Sequence, residues 1–235
     1  MDRHGQLASF IQNHPNQIGK VVDIDLASDR LLALDFTENN LQLTADEVAD
    51  TPRFSAWVNR KLAESGCRYG IGGYFEHRTL YARSSLFNTT DTEPRRLHLG
   101  TDIWGPAHTP VYAPLAGKVH SFQDNDNFGD YGPTIILKHD LNGLALYTLY
   151  GHLNRAALQD LAVGKPIGLN QQIACFGHED ENGHWPPHLH FQLMFDMQGL
   201  AGDYPGVCRY SEKDSYQKNI PDPDLILQFS KATIM

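Results

Sequence analysis

Apolar and polar positions change rhythm near residue 67 of this chain. Residues 2–12 predict a short first helix, which Pro15 would end. VVDIDLASDRLLALDF alternates imperfectly, with Asp29 and Arg30 at a turn, and predicts a hairpin of two strands. From Thr44 to Glu64 the spacing becomes helical. Thr44 and Glu47 fit a capping box, and Phe54, Trp57, Val58 and Leu62 form an apolar stripe read as core rather than as a binding surface.

Beyond SGC, glycines, aromatics and β-branched residues dominate, with turn clusters about every ten residues. The predicted strands are GGYFEHRTLYAR, LHLGTDIW, TPVYAP, GKVHSF, PTIILKHD, LALYTLYGHL, QQIACFG and HLHFQLMF. Many short strands divided by Gly and Pro predict a mainly β, mostly antiparallel domain, α+β overall. After Asp196 the chain is rich in Pro, Asp and Tyr; it is expected to wrap the surface and end in a short helix near PDPDLILQF. The expected organisation is a small mixed N-terminal extension over 1–66, a compact β domain over 67–197 and a wrapping tail over 198–235.

Length and charge narrow the function classes. The 235 residues, 41% hydrophobic, suffice for one good core, or for one core plus a smaller appended unit. The net charge of −9, without clustered Lys and Arg, argues against a nucleic-acid partner and against docking on anionic membranes or wall polymers. No run of eighteen apolar residues predicts a transmembrane helix, and the opening residues carry no apolar core of signal-peptide length. The expected location is therefore the cytoplasm, or the periplasm or exterior if an export signal has been removed. Cys67, Cys175 and Cys208 are widely spaced and odd in number; they read as thiols rather than as a disulfide framework or a structural zinc site.

Three segments can carry chemistry. In HWPPHLHFQL, a strand over HLHFQL would project His188 and His190 to one face and Leu189, Phe191 and Leu193 to the other. In LHLGTDIWGPAHTPVYAP, His98 and Asp102 are four apart. Gly100, Thr101 and Gly105-Pro106 oppose a helix, and an extended segment keeps both on one side, with Leu97, Leu99, Thr101 and Ile103 on the other. Gly100 lies between them, where a side chain would crowd a metal or a neighbouring strand. In LALYTLYGHLN, a strand delivers His152 just past Gly151. Two His and one carboxylate with a water as fourth ligand is the pattern of catalytic zinc, which acidifies water and polarises a carbonyl, while further His residues can move protons.

His98-Leu-Gly-Thr-Asp102, AHTPVYAP, TLYGHL and PHLHFQ, in that order over about residues 95–196, resemble the lysostaphin-like zinc metallopeptidase family. The resemblance implies a largely antiparallel β fold with a narrow groove and one Zn2+ per chain held by His98, Asp102 and His190. His188 would be the general base and His152 would act at the oxyanion and substrate; Tyr131, Trp185 and His184 are candidate substrate contacts. It further implies hydrolysis of a peptide or peptidoglycan-fragment substrate. Two features depart from the family habit: wall-cutting relatives are usually exported, and Trp185-Pro186-Pro187 replaces the usual Gly before the HxH. The WPPHLHFQ form is similar to peptidase-like modules joined to aminotransferases in some large bacterial proteins. A zinc amidohydrolase acting on a small cytoplasmic amide, and a zinc-retaining binding module without turnover, stand as alternatives.

Overall fold

The computed structural model describes residues 1–87 and 93–235. In chain order its elements are α1 (Arg3–Asn13), β1 (Arg30–Ala33), α2 (Ala45–Ala49), α3 (Thr51–Ser65), β2 (Tyr69–Gly72), β3 (Leu97–His98), β4 (Thr101–Trp104) and β5 (Pro110–Tyr112). They continue with β6 (Gly117–Asn125), β7 (Gly132–Leu141), β8 (Leu144–Gly151), β9 (Pro166–Ile167), β10 (Gln172–Cys175) and β11 (His188–Met194). The last are β12 (Val207–Cys208), α4 (Lys213–Gln217), α5 (Asp224–Leu227) and β13 (Thr233–Ile234).

Nine strands make one sheet in the order β13-β1-β2-β4-β11-β8-β7-β6-β9. Pairing is antiparallel from β2 across to β9. β1 pairs parallel with both β2 and β13, so the sheet is mixed and draws strands from both ends of the chain. The protein is mainly β and α+β overall. Two small antiparallel pairs, β5 with β10 and β3 with β12, flank the sheet.

Four predicted elements differ. Residues 21–36 are not a hairpin: only β1 is a strand, because the Asp25 carboxylate accepts hydrogen bonds from Ala27 N–H and the Ser28 hydroxyl and closes a turn where the first strand was expected. The predicted helix over 44–64 is two helices. Pro52 has no N–H to continue α2, and Asp50, in extended backbone, caps α3 by accepting from Arg53 N–H. The Thr44–Glu47 capping box is present, and α3 ends at Gly66 in the left-handed region at φ 67°.

GGYFEHRTLYAR is not a strand either. After β2 the chain turns through Phe75 at φ 53°, bridges at His77 to Leu97, and enters a 3-10 turn over Leu80–Arg83. Finally, LHLGTDIW breaks at Leu99–Gly100, so β3 pairs with β12 while β4 joins the large sheet.

The core follows the alternation. Ile103, Leu137, Leu189, Phe191 and Leu193 share a buried cluster with Leu7 and Phe10 of α1 and with Ile226 of α5. A second cluster joins α3 to the sheet through Phe54, Trp57, Phe36, Trp104 and Trp185. Both bury large apolar and aromatic areas, the dominant favourable contribution to such a fold. Among the described residues no helix is long and apolar enough to cross a membrane.

Candidate metal centre

The antiparallel register of β4 and β11 sets Asp102 directly opposite His190. Because side chains alternate on β11, Leu189, Phe191 and Leu193 enter the core and leave His188 and His190 on the other face. The break after β3 lets His98 approach the same spot. His98 Nε2 lies 2.9 Å from His190 Nδ1 and 3.2 Å from Asp102 Oδ1, and His190 Nδ1 lies 3.1 Å from Asp102 Oδ1. Gly100 is required by this approach: a Cβ there would lie 2.6 Å from His190 Nε2 and 2.7 Å from the Phe191 carbonyl oxygen.

The outer hydrogen bonds settle which atoms face the centre. His98 Nδ1 meets the Gly73 carbonyl oxygen at 2.9 Å, which requires an N–H there and leaves Nε2 with a lone pair. Gln192 donates its amide N–H to the Pro205 carbonyl, so its Oε1 accepts from His190 Nε2 at 3.0 Å and Nδ1 keeps its lone pair. Three acceptor atoms thus converge on one point with no donor of their own to place between them. That is a cation site by donor set. The triangle of 2.9–3.2 Å is also within a few tenths of an ångström of the roughly 3.3 Å edge set by metal bonds of about 2.0–2.1 Å in tetrahedral geometry. His98, Asp102 and His190 form a group that can hold a metal ion.

Electrostatics agree with that reading. Burial pushes the Asp102 carboxyl up, but the His98, Arg78 and His190 groups packed around it outweigh burial and hold it well below the usual carboxylate range. Burial, with Arg78 second, lowers His98 to about 3, so its imidazole is neutral.

His188 and His152 stand beside the trio, their ring centroids 4.1 Å apart. His188 Nδ1 donates to the Pro186 carbonyl at 2.7 Å and His152 Nδ1 to the Asn182 carbonyl at 2.8 Å, so both Nε2 atoms are free to accept a proton. Burial lowers His188 to about 4; burial and then His188 hold His152 well below the ordinary imidazole value. Trp104 stacks on His188 at 3.9 Å with an interplanar angle of 11°. His152 is left-handed at φ 60°, a costly backbone for a non-glycine residue, held by its N–H to the Tyr131 carbonyl and its own carbonyl accepting from Gly177.

The five residues are no more than 6% exposed. All except His98 line a cavity of about 220 Å³. Tyr131 and Trp185 line it too; the Tyr131 hydroxyl lies 3.4 Å from His190 Nε2, and burial keeps that phenol protonated. His184 is not brought to the cavity. It is exposed, packs beside Phe128, and its carbonyl accepts from Thr51 and Arg83.

Sequence reasoning did not find Arg78, Tyr81, Trp104 or Gln192. Gln192 had a signal in the alternation of HLHFQL, which puts it on the ligand face. Arg78 and Tyr81 had none, because only the turn after β2 carries them to the site.

Residues 96–201 match the sequence model of peptidase family M23. No curated protein matches the chain. Among solved structures it is similar to a zinc-containing peptidase from Vibrio cholerae, at 28% identity and TM-score 0.33 over 42% of this chain and 27% of that one. It is also similar to the catalytic domain of lysostaphin from Staphylococcus simulans, at 23% identity and TM-score 0.36 over 52% and 80% of the two chains. A third, a peptidase M23 structure from Pseudomonas aeruginosa, gives 20% identity and TM-score 0.36 over 58% and 47%. The chain thus spans little more than a quarter of the Vibrio protein.

Proposed function

We propose, from the premise that residues 96–201 are a peptidase family M23 domain, that this protein is a zinc metallopeptidase hydrolysing a peptide bond. The observation that carries the reading is the convergence of His98 Nε2, Asp102 Oδ1 and His190 Nδ1, each an acceptor, at mutual distances of 2.9–3.2 Å. Two imidazoles and one carboxylate suit zinc, which when bound supplies a Lewis acid that acidifies water and polarises the carbonyl under attack. His188 Nε2 accepts the proton of the attacking water. His152, neutral with a free Nε2 beside His188, takes over that proton and releases it to the leaving amine as the C–N bond breaks. The Tyr131 hydroxyl, a protonated donor in the cavity wall, orients the substrate carbonyl.

Peptidoglycan-type peptides are the default substrate by family. A second reading, hydrolysis of a short peptide or small amide inside the cytoplasm, is favoured by the small size of the site. Leu80, Tyr81, Leu86 and Phe87 wall the cavity, and its roughly 220 Å³ lies below the roughly 300–1,000 Å³ usual for ligand pockets.

Metal analysis of the purified protein is expected to return about one zinc per chain. The His188→Ala variant is expected to keep that zinc and lose hydrolysis by roughly 10²–10⁴-fold. Survival of activity would overturn the assignment of the base. Cross-linked muropeptides, glycine-rich peptides and short free peptides, assayed side by side, separate the two substrate readings; zinc without turnover on any of them would make the chain a binding module. Imaging of the tagged, untrimmed chain tests the cytoplasmic location.

A further inference from the structure

The side chain that grips the ligand carboxylate lies outside the family domain. Arg78 is 1% exposed, in the turn between β2 and β3. Its Nη1 donates to Asp102 Oδ2 at 2.5 Å and its Nε to Glu76 Oε2 at 2.6 Å, with the Tyr81 hydroxyl 3.3 Å from Nη1. The guanidinium is fixed from other sides as well. It sits over the Phe36 ring at 5.2 Å, and a Cβ on Gly72 would come within 2.4 Å of Nη2. The backbone N–H of Arg78 donates to the Arg96 carbonyl, tying the turn to the segment that delivers His98.

From this arrangement we propose that Arg78 is a positioning residue of the metal centre, holding Asp102 so that Oδ1 alone faces the ion, and that Glu76 is the counter-charge that lets it do so. The proposal rests on the metallopeptidase reading above. A carboxylate with both oxygens free can rotate, chelate through both, or turn away. Arg78 occupies Oδ2 and leaves Oδ1 within 3.1–3.2 Å of the two imidazole nitrogens. A bare guanidinium at this place would also repel a divalent cation. Glu76 removes that objection, since the Arg78–Glu76 pair is formally neutral and Asp102 keeps its own negative charge for the metal. A lysine would keep the charge, but not the planar fork that reaches two carboxylates at once. The turn bearing Gly73, Glu76 and Arg78 thus supplies the hydrogen-bonding shell for two ligands, His98 and Asp102, that the family domain itself contributes.

The test compares zinc affinity by chelator competition, and the zinc-induced rise in Tm, for the full chain and for Arg78→Met, Arg78→Lys and Glu76→Gln. Arg78→Met is expected to bind zinc roughly 10–100-fold more weakly. Arg78→Lys is expected to fall between it and the unaltered chain. Glu76→Gln, which leaves Arg78 uncompensated, is expected to weaken binding as well. Folded Arg78→Met with the affinity of the unaltered chain would overturn the proposal. If Arg78→Met does not fold, Arg78→Lys decides, and unchanged affinity there overturns it equally. Failure of the unaltered chain to bind zinc would instead refute the metallopeptidase reading, so the two failures are told apart.

Discussion

Two regions meet at the candidate metal centre and are built differently. The strands β4, β8 and β11 deliver Asp102, His152 and His190 by register and alternation, on backbone fixed by ladder hydrogen bonds. The covering region, from Phe36 through α3 to the turn at Tyr81, delivers no metal ligand. It contributes aromatic packing, a buried arginine and a carbonyl that orients His98. One region places the ligands; the other holds His98 and Asp102 from outside and walls part of the cavity. The family match covers the first and leaves out the second. Gln192, which orients His190, lies inside the matched segment, whereas Gly73 and Arg78, which hold His98 and Asp102, lie outside it.

The sharpest way to break the first region alone is Gly100→Ala. The added Cβ overlaps the His190 ring, so zinc affinity in chelator competition is expected to drop by roughly 10–100-fold. Unchanged affinity would show that the ring can shift without loss of the centre.

Phe54→Ala breaks the cover instead. Phe54 is fully buried against Phe36, Trp104 and Trp185, and its loss is expected to cost about 3–5 kcal/mol in chemical denaturation. Trp104 and Trp185 flank His188, so hydrolysis per folded molecule is expected to fall while zinc binding is kept. If turnover per folded molecule does not change, the cover contributes stability alone.

A third test concerns a histidine of the sheet, on β7, outside the candidate metal centre. His139 donates from Nδ1 to the Ala116 carbonyl and accepts the Thr148 hydroxyl at Nε2, and burial lowers it to about 4. The folded protein resists its protonation more than the unfolded chain does. Its stabilising contribution is therefore full above about pH 6.5 and is lost as pH falls toward 4, amounting to about 3 kcal/mol. His139→Gln is expected to be less stable at neutral pH but to lose less on acidification. The difference between the two denaturation-versus-pH curves isolates this group from the other buried histidines, and parallel curves would refute the assignment.

Much of this was legible in the residues. The HxH of β11 announced its own geometry, because a period of two needs only local extended backbone to separate His188 and His190 from Leu189, Phe191 and Leu193. Gly100 was legible as a point of close approach for the same reason. The Thr44–Glu47 box was legible because capping is settled within one turn. What failed were elements whose local pattern was overridden. The hairpin at 21–36 lost its first strand to an aspartate-anchored turn, and β1 took parallel neighbours 38 and more residues away in sequence. The strand expected over GGYFEHRTLYAR became a turn with buried charge, which alternation cannot foresee.

By itself, then, the sequence determined the mainly β class and the common face of His188 and His190, since these depend on spacing along short extended segments, while the choice of His98, Asp102 and His190 as the ligand set came from the family resemblance. Tertiary structure alone decided that Arg78 would grip Asp102, that Gly73 and Gln192 would fix the histidine nitrogens, and that the five side chains of the site would be buried. Those contacts join residues from separate elements. Their energy comes from pairing charges and donors away from water, which exists only after the chain has folded.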